Sequence, residues 1–128
     1  MAKIEGVCRE VIDKTEWIAI ATAGPEGPHI VATWGDYVRA VGVEDETLTI
    51  PVGGMHRTEA NLARDNRVEL LCGTRQVLGS QGKPGRGCCI AGDAELQTSG
   101  PHFDAVRAIF PWARAALVVQ VKETRLQL

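Results

Sequence analysis

The chain has 128 residues, the usual size of one domain, so we expect a single domain over residues 1–128. Hydrophobic residues make up 45% and charged residues 23%, a balance that excludes a largely disordered chain. The formal net charge of −2 gives no electrostatic basis for nucleic acid or an anionic membrane as the main partner. No apolar run approaches the roughly 20 residues of a membrane helix, so we expect a cytoplasmic location.

The first half of the chain predicts one helix followed by strands. Apolar residues recur at helical spacing over residues 4–12, which predicts an amphipathic helix. Residues 16–23 predict a buried strand that stops at a dense run of glycine and proline. Residues 29–34 and 37–43 are predicted as two further strands, and residues 47–52 alternate between polar and apolar side chains as a strand does.

The second half continues this pattern. A helix is predicted over 57–65, followed by a strand around 68–72 and a mobile loop or wide hairpin over 79–87. A strand over 88–97 comes next. The last helix starts near Pro101 and ends at Pro111, and a strand follows over 115–122. Residues 124–128 alternate as well, which suggests a strand extension or a segment that closes over a neighbour. Six or seven short strands with three short helices predict a mostly β fold, an antiparallel barrel decorated by helices.

Cysteine and histidine residues are few and scattered. Cys8, Cys72, Cys88 and Cys89 form no Cys-x-x-Cys pair, so we expect structural thiols without disulfides, with the last two on opposite faces of a strand. His29, His56 and His102 are too dispersed to predict a metal site. We expect His29 to begin a strand and His102 to be exposed.

The segment with the strongest chemical signal joins a strand to a helix. Gly53 and Gly54 free the backbone for close approach, and the helix that follows presents unpaired N–H groups and a partial positive charge. Arg57 adds a guanidinium group that matches phosphate geometry, and Thr58 adds a hydroxyl donor. These residues predict a phosphate site, although a tight turn with a solvated arginine is an equally simple interpretation. The G-x-G-x-x-G and Walker patterns are absent from the sequence.

Aromatic residues make up only 5% of the chain, so their positions are informative. Trp34 follows Thr33 at the end of a predicted strand, Tyr37 lies just beyond, and Trp112 follows the last helix. Such residues could form a wall for a planar ring, or they could simply pack in a core or an interface.

Three motifs together resemble a known family. Thr33-Trp34, the block from Pro51 to Asn61 and the block from Pro111 to Leu117 are similar to the small FMN-binding proteins of sulfate-reducing bacteria, which belong to the pyridoxamine 5′-phosphate oxidase-like superfamily. The resemblance covers nearly the whole chain. It implies an antiparallel Greek-key split β-barrel and a homodimer that binds FMN non-covalently near the subunit interface.

The resemblance also implies roles for individual residues. It places the FMN phosphate at Arg57 and Thr58. By its position beside them His56 could donate a hydrogen bond, although a packed or solvated histidine is the simpler interpretation. It places the flavin ring along the following groups: Thr33, Trp34 and the backbone of Pro51, Val52, Gly53 and Gly54. Trp112 and Tyr37 would approach the ring from its rim or from the partner subunit. Ala32 stands where the family pattern has asparagine, so one polar contact to the cofactor is expected to be missing.

These inferences leave several functions open. The leading hypothesis is electron transfer or flavin-reductase-like chemistry through FMN, with an unknown redox partner. No nucleophile, base and orienting group can be assembled from the sequence, so whether the protein is an enzyme stays undecided. The alternatives are a pyridoxamine 5′-phosphate oxidase, for which the chain looks short, and a non-enzymatic module that binds flavin, deazaflavin or haem.

Overall fold

The computed structural model describes residues 2–128 and contains six strands and four helices in this range. In chain order the elements are α1 (Gly6–Lys14), β1 (Trp17–Gly24), β2 (Gly27–Trp34), α2 (Gly35–Val41), β3 (Thr47–Val52), α3 (His56–Arg64), β4 (Arg67–Leu78), β5 (Pro84–Gln97), α4 (Pro101–Ile109) and β6 (Ala115–Gln127).

All six strands form one antiparallel sheet in the order β2-β1-β4-β5-β6-β3. The sheet curls around a single core to which every strand and α1 contribute, which explains why edge strand β3 shares that core with β1 and β4. The largest fully buried side chains are Ile4, Ile12, Ile18, Ile20, Leu48, Ile50, Leu70, Ile90 and Leu117. The prediction of a mostly β, antiparallel split barrel with short helices is confirmed.

Residues 37–43 were predicted as a strand, and that prediction is wrong. They lie mostly in α2, a helix with Asp36 in its first turn and Arg39 in its last turn, where each charge complements the helix dipole. Gly35 allows this helix to start, because a side chain there would collide with the carbonyl oxygen of Thr15. Arg39 then donates hydrogen bonds to the carbonyl oxygens of Ile12 and Thr15, at 3.2 and 2.7 Å, so α2 caps the end of α1.

The cysteines also differ from expectation. Cys8 of α1 and Cys88 of β5 are joined by a disulfide, with their Cα atoms 5.6 Å apart, so the expectation of four thiols is wrong for this pair. Cys72 and Cys89 are free and buried. Cys88 lies in the core while Cys89 contacts Glu69 on the other face, as predicted for neighbours in a strand. Burial raises the pKa of the Cys72 thiol to about 12, which suppresses its reactivity.

The glycine-rich stretch over 79–87 is a hairpin rather than a mobile loop. Strand β4 continues to Leu78, which pairs with Pro84, and the turn between them is closed by a hydrogen bond from the Gly79 amide to the Lys83 carbonyl. The last strand is longer than predicted and pairs with β5 as far as Gln127, so residues 124–127 are a strand extension.

Helix α4 packs against the outer side of β6 and forms a second, smaller apolar cluster. Phe103, Val106 and Phe110 lie on one side of this helix, against Ala116 and Val118. The longest helices have nine residues, and within residues 2–128 none could cross a membrane.

Candidate functional site

The segment that leads from β3 into the start of α3 is an exposed loop with free backbone donors; we refer to residues 53–57 as the glycine loop. Strand β3 ends at Val52, and Met55 adopts a left-handed conformation with φ of 59° before α3 begins at His56. The amide groups of Gly54, Met55, His56 and Arg57 donate to no acceptor within residues 2–128. A cluster of unpaired N–H groups at a helix start is a site for an anion.

Arg114, which the sequence analysis did not select, fixes the shape of this loop. Its Nε donates to the carbonyl oxygens of Gly53 and Gly54, both at 3.1 Å, and its Nη2 donates to Gly54 at 2.6 Å. Its Nη1 lies 3.0 Å from Oε1 of Glu59 in the first turn of α3. Arg114 is therefore the link between the start of β6 and the glycine loop. A sequence signal existed, because Arg114 lies within the block 111–117 that carries the family resemblance.

The position of Arg114 sets the direction of the loop amides. In a planar trans peptide the C=O and the following N–H point to opposite sides. Because Arg114 binds the carbonyl oxygens of Gly53 and Gly54, the N–H groups of Gly54 and Met55 point away from Arg114. The arginine thus occupies one side of the loop and leaves the donors on the other side.

Thr58 lies below this loop, in the first turn of α3. The residue is fully buried, and its hydroxyl oxygen has no hydrogen-bond partner within the described residues. A buried hydroxyl without a partner is costly, which favours a site that a ligand completes. Further along the helix, Asn61 donates to Thr22 at 3.1 Å and accepts from Arg64 at 2.6 Å, and this network holds α3 against β1.

The two basic side chains predicted here are on the surface. Arg57 and His56 are both exposed, and within residues 2–128 neither makes a hydrogen bond or an ion pair. They stand at the start of α3, where the positive end of the helix dipole already favours an anion.

An aromatic cluster covers the other end of the glycine loop. Trp112 packs on Gly53 so closely that a Cβ atom at position 53 would lie 3.2 Å from the indole ring. The ring centroid of Trp112 is 5.7 Å from Tyr37 and 5.4 Å from Phe110. Tyr37 and Trp112, predicted from separate parts of the sequence, are thus neighbours, and half of the Trp112 side chain stays exposed.

The remaining predicted ring contacts are on the two edge strands, β2 and β3. Thr33 is buried in β2, whereas Trp34 at the end of that strand is 44% exposed and packs edge-on against Trp17, with ring centroids 4.6 Å apart. Pro51 and Val52 are buried in β3. The structure therefore places Trp34 beside Trp17 and Trp112 beside Gly53, in two separate aromatic groups.

The histidines are not grouped. His29 lies near the start of β2, as predicted, whereas His102 is half-buried instead of exposed, with Nδ1 at 3.2 Å from the hydroxyl of Thr49. No group of three or more metal-ligating side chains occurs within residues 2–128.

Two hollows of about 680 Å³ indent the surface, and neither is lined by the glycine loop or by Trp112. The first lies on the outer face of the sheet, over small residues such as Ala21 and Ala91, and its rim carries Asp65 and Arg67. Hydrogen bonds from Arg67 lower the pKa of the Asp65 carboxyl to about 2, so the opposite charges of Asp65 and Arg67 offset each other at this rim. The second hollow lies at the other end of the strands. Gly53 and Gly54 are exposed, so the glycine loop lies open at the surface of a single chain.

Comparisons with known proteins place these features in context. The family model described as pyridoxamine 5′-phosphate oxidase matches residues 4–127. A curated relative named FMN-binding protein, from Nitratidesulfovibrio vulgaris (strain Miyazaki F), is 48% identical over 118 residues, covering 92% of this chain and 93% of the relative. Among solved structures, HupZ from group A Streptococcus is similar with a TM-score of 0.73 and 18% identity, covering 97% of this chain and 99% of that one. An FMN-binding protein from Syntrophomonas wolfei is similar with a TM-score of 0.66 and 14% identity, covering 94% and 83%.

Proposed function

This chain belongs to the pyridoxamine 5′-phosphate oxidase family, and from that premise we propose that it is a flavoprotein that binds FMN non-covalently. The name of the relative that is 48% identical supports this proposal. The observation that carries it is the buried, unpartnered hydroxyl of Thr58 beneath a loop of free amides. A phosphate group has the acceptor oxygens that these donors lack.

The residues of the glycine loop fit the phosphate end of FMN. The amides of residues 54–57, the positive end of α3 and the guanidinium of Arg57 all favour a dianionic group. Thr58 would supply its hydroxyl, and His56 stands beside it at the helix start. Arg114 offsets the charge of Glu59, which would otherwise repel a phosphate at this position.

The half-exposed aromatic residues fit the flavin ring. Trp34 and Trp112 present large apolar surfaces, and Tyr37 supports Trp112 from α2. We propose that Thr33 and Trp34, with the backbone of Pro51, Val52, Gly53 and Gly54, line the ring. Since the glycine loop is open in a single chain, the second wall comes from another copy in a homodimer, which buries the ring between two subunits.

The proposed role is redox chemistry, either electron transfer or flavin-reductase-like activity with a partner still to be identified. FMN supplies the one- and two-electron chemistry when it is bound. The residues of this chain hold the phosphate, orient the ring and limit the access of water. An aromatic wall without charged groups, such as Trp34 against Trp17, would set a low local polarity beside the ring.

The substitution Arg57→Ala tests the proposal. It removes a charge-assisted hydrogen bond of about 1.5–3 kcal/mol, so the Kd for FMN should rise by about one to two decades in a fluorescence-quenching titration. Arg57→Lys keeps the positive charge and is the matched control; it should retain most of the affinity. Riboflavin, which has no phosphate, should bind both variants equally. A wild-type chain that fails to quench FMN fluorescence would refute the proposal, and equal FMN affinity in Arg57→Ala would refute the phosphate assignment.

A further inference from the structure

The second hollow lies at the end of the barrel that is remote from the glycine loop. Strand β1 connects the two ends: Gly24 at one end lies close to Asn61 of α3, whereas Glu16 just before the strand lines this cleft. The cleft has a volume of about 680 Å³, which is within the range of small-molecule sites. Its polar lining comes from Lys14, Glu16, Thr74, Arg75, Gln76 and Arg86.

We propose that this cleft is a second anion-binding site, which takes a small phosphorylated molecule other than the FMN of the glycine loop. The two sites share one unusual feature. Among the described residues, the buried side-chain polar atoms without a hydrogen-bond partner are the Thr58 hydroxyl oxygen and Nε of Arg86. One belongs to each site.

Arg86 brings a buried donor to the cleft. Arg86 pairs with Thr74 across β4 and β5, and it lies two residues before the core residue Cys88, so its side chain starts on the inner face of the sheet. Burial removes its Nε–H from water without providing an acceptor. Guanidinium donors almost always find a partner when they are buried, so an acceptor is expected from a ligand in the cleft.

The charges around the cleft point to the same ligand. Five of the 14 lysine and arginine residues are paired with carboxylates within residues 2–128: Arg9 with Asp13, Arg67 with Asp65, Arg114 with Glu59, Lys122 with Asp93 and Arg125 with Glu69. In contrast, Lys14, Arg75 and Arg86 make no ion pair within residues 2–128, although all three line one cleft. Unpaired cations that converge in a chain of net charge −2 form a local positive field.

Phosphate is the anion that matches this set. The cleft also contains the carboxylate of Glu16, so the excess of positive charge is modest and a ligand must use several donors at once. A phosphate monoester carries a charge of about −1.5 to −2 and three acceptor oxygens. One oxygen can accept from Arg86 while the others face Lys14 and Arg75. The remaining volume, lined by Gly73, Pro84 and Gly85, would hold the organic part of the molecule.

Binding of inorganic pyrophosphate, measured by calorimetry at constant ionic strength, tests the inference. The background is the full chain with Arg57→Ala, which weakens the glycine loop as a competing phosphate site. We expect one molecule of pyrophosphate per chain, with a Kd that rises about tenfold or more in Arg86→Gln. Lys14→Gln with Arg75→Gln should weaken binding by a similar factor. Because Lys14 and Arg75 are exposed, this second variant serves as the test if Arg86→Gln does not fold.

The matched control is Lys3→Gln, an exposed cation that does not line the cleft, and it should bind as the background does. Absence of binding in the background chain, or equal binding in all variants, would overturn the inference. It would also be overturned if the cleft variants changed the sedimentation of the protein but not pyrophosphate binding, since the cleft would then be a subunit contact. FMN titrations with Arg57 variants use a different ligand and site, so either proposal can fail alone.

Discussion

Arg114 shows how one side chain can determine the geometry of a binding loop. It contacts Gly53 and Gly54 through their carbonyl oxygens and Glu59 through its carboxylate, and its own amide donates to Val52 at 2.8 Å. It therefore joins the end of β3 to the start of α3 without occupying the side on which the amides are free. We assign it a positioning role for the proposed phosphate site.

Substitution of Arg114 by alanine tests this role. The loop carbonyls would lose their donors and Glu59 would face the phosphate unpaired, so the Kd for FMN should rise by about a decade while riboflavin affinity stays near the wild-type value. A merely structural role would lower the melting temperature and affect both flavins alike. Arg107→Ala is the matched control. Like Arg114, Arg107 donates a side-chain hydrogen bond to the backbone, to the carbonyl oxygen of Ala113, but it makes no hydrogen bond to the glycine loop. Its FMN affinity should be unchanged.

The local part of the candidate site could be predicted from the sequence, and the remote part could not. Two glycines before a helix, followed by Arg57 and Thr58, are adjacent in the chain, so their chemistry can be recognised from spacing alone. Arg114 reaches Gly53 across 61 residues, and no periodicity in the sequence reports such a contact. The aromatic residues are intermediate: their positions suggested a ring site, but only the fold shows that Trp112 stands with Tyr37 and Trp34 with Trp17.

Among the elements, α2 shows where sequence patterns are ambiguous. Residues 35–41 form only two turns, and so short an apolar run fits either a strand or a helix. The decisive contacts are tertiary: Gly35 against Thr15, and Arg39 on the carbonyl oxygens at the end of α1. In contrast, α1 and the strands with clear alternation were predicted correctly, since burial of one face dictates their period.

The disulfide between α1 and β5 leads to a prediction about the stability of the fold. It closes a loop of 80 residues, and cross-links of that size are associated with about 2–4 kcal/mol of stabilisation. The substitution Cys8→Ser should therefore lower the free energy of unfolding by that order in urea denaturation. Cys72→Ser, at a buried cysteine outside the disulfide, is the control for lost packing and should cost less. Thiol titration of the unfolded, unreduced wild-type chain should give two thiols; four would contradict the disulfide and with it this prediction.

At the scale of the whole molecule, one face of the sheet is suited to self-association. Trp17, Ile30, Trp34 and Leu71 are 44–66% exposed and project from the outer side of β1, β2 and β4. The strand register places small residues between them, since Ala19 pairs with both Ala32 and Leu71. A contiguous apolar surface of this kind is typical of a subunit interface.

The substitution Leu71→Glu tests whether this face forms the proposed homodimer. A charge buried at the centre of an apolar interface is strongly unfavourable, so the variant should sediment as a monomer at concentrations where the wild type is a dimer. Ile109→Glu, at a position that is 44% exposed on α4, compared with 46% for Leu71, is the control and should remain dimeric. A wild-type chain that sediments as a monomer, or a dimer unaffected by Leu71→Glu, would remove this face from the proposal.

The contacts of α1 have a consequence for the order in which the chain can acquire its structure during synthesis. This helix is completed by residue 14, yet the elements that it packs against are α2, β4, β5 and β6, which all leave the ribosome after it. Until then its apolar face, with Val11 and Ile12, has no core to enter. The nascent chain therefore carries an unshielded amphipathic segment until these strands emerge, and the sheet is complete only after β6, the strand with which β3 pairs.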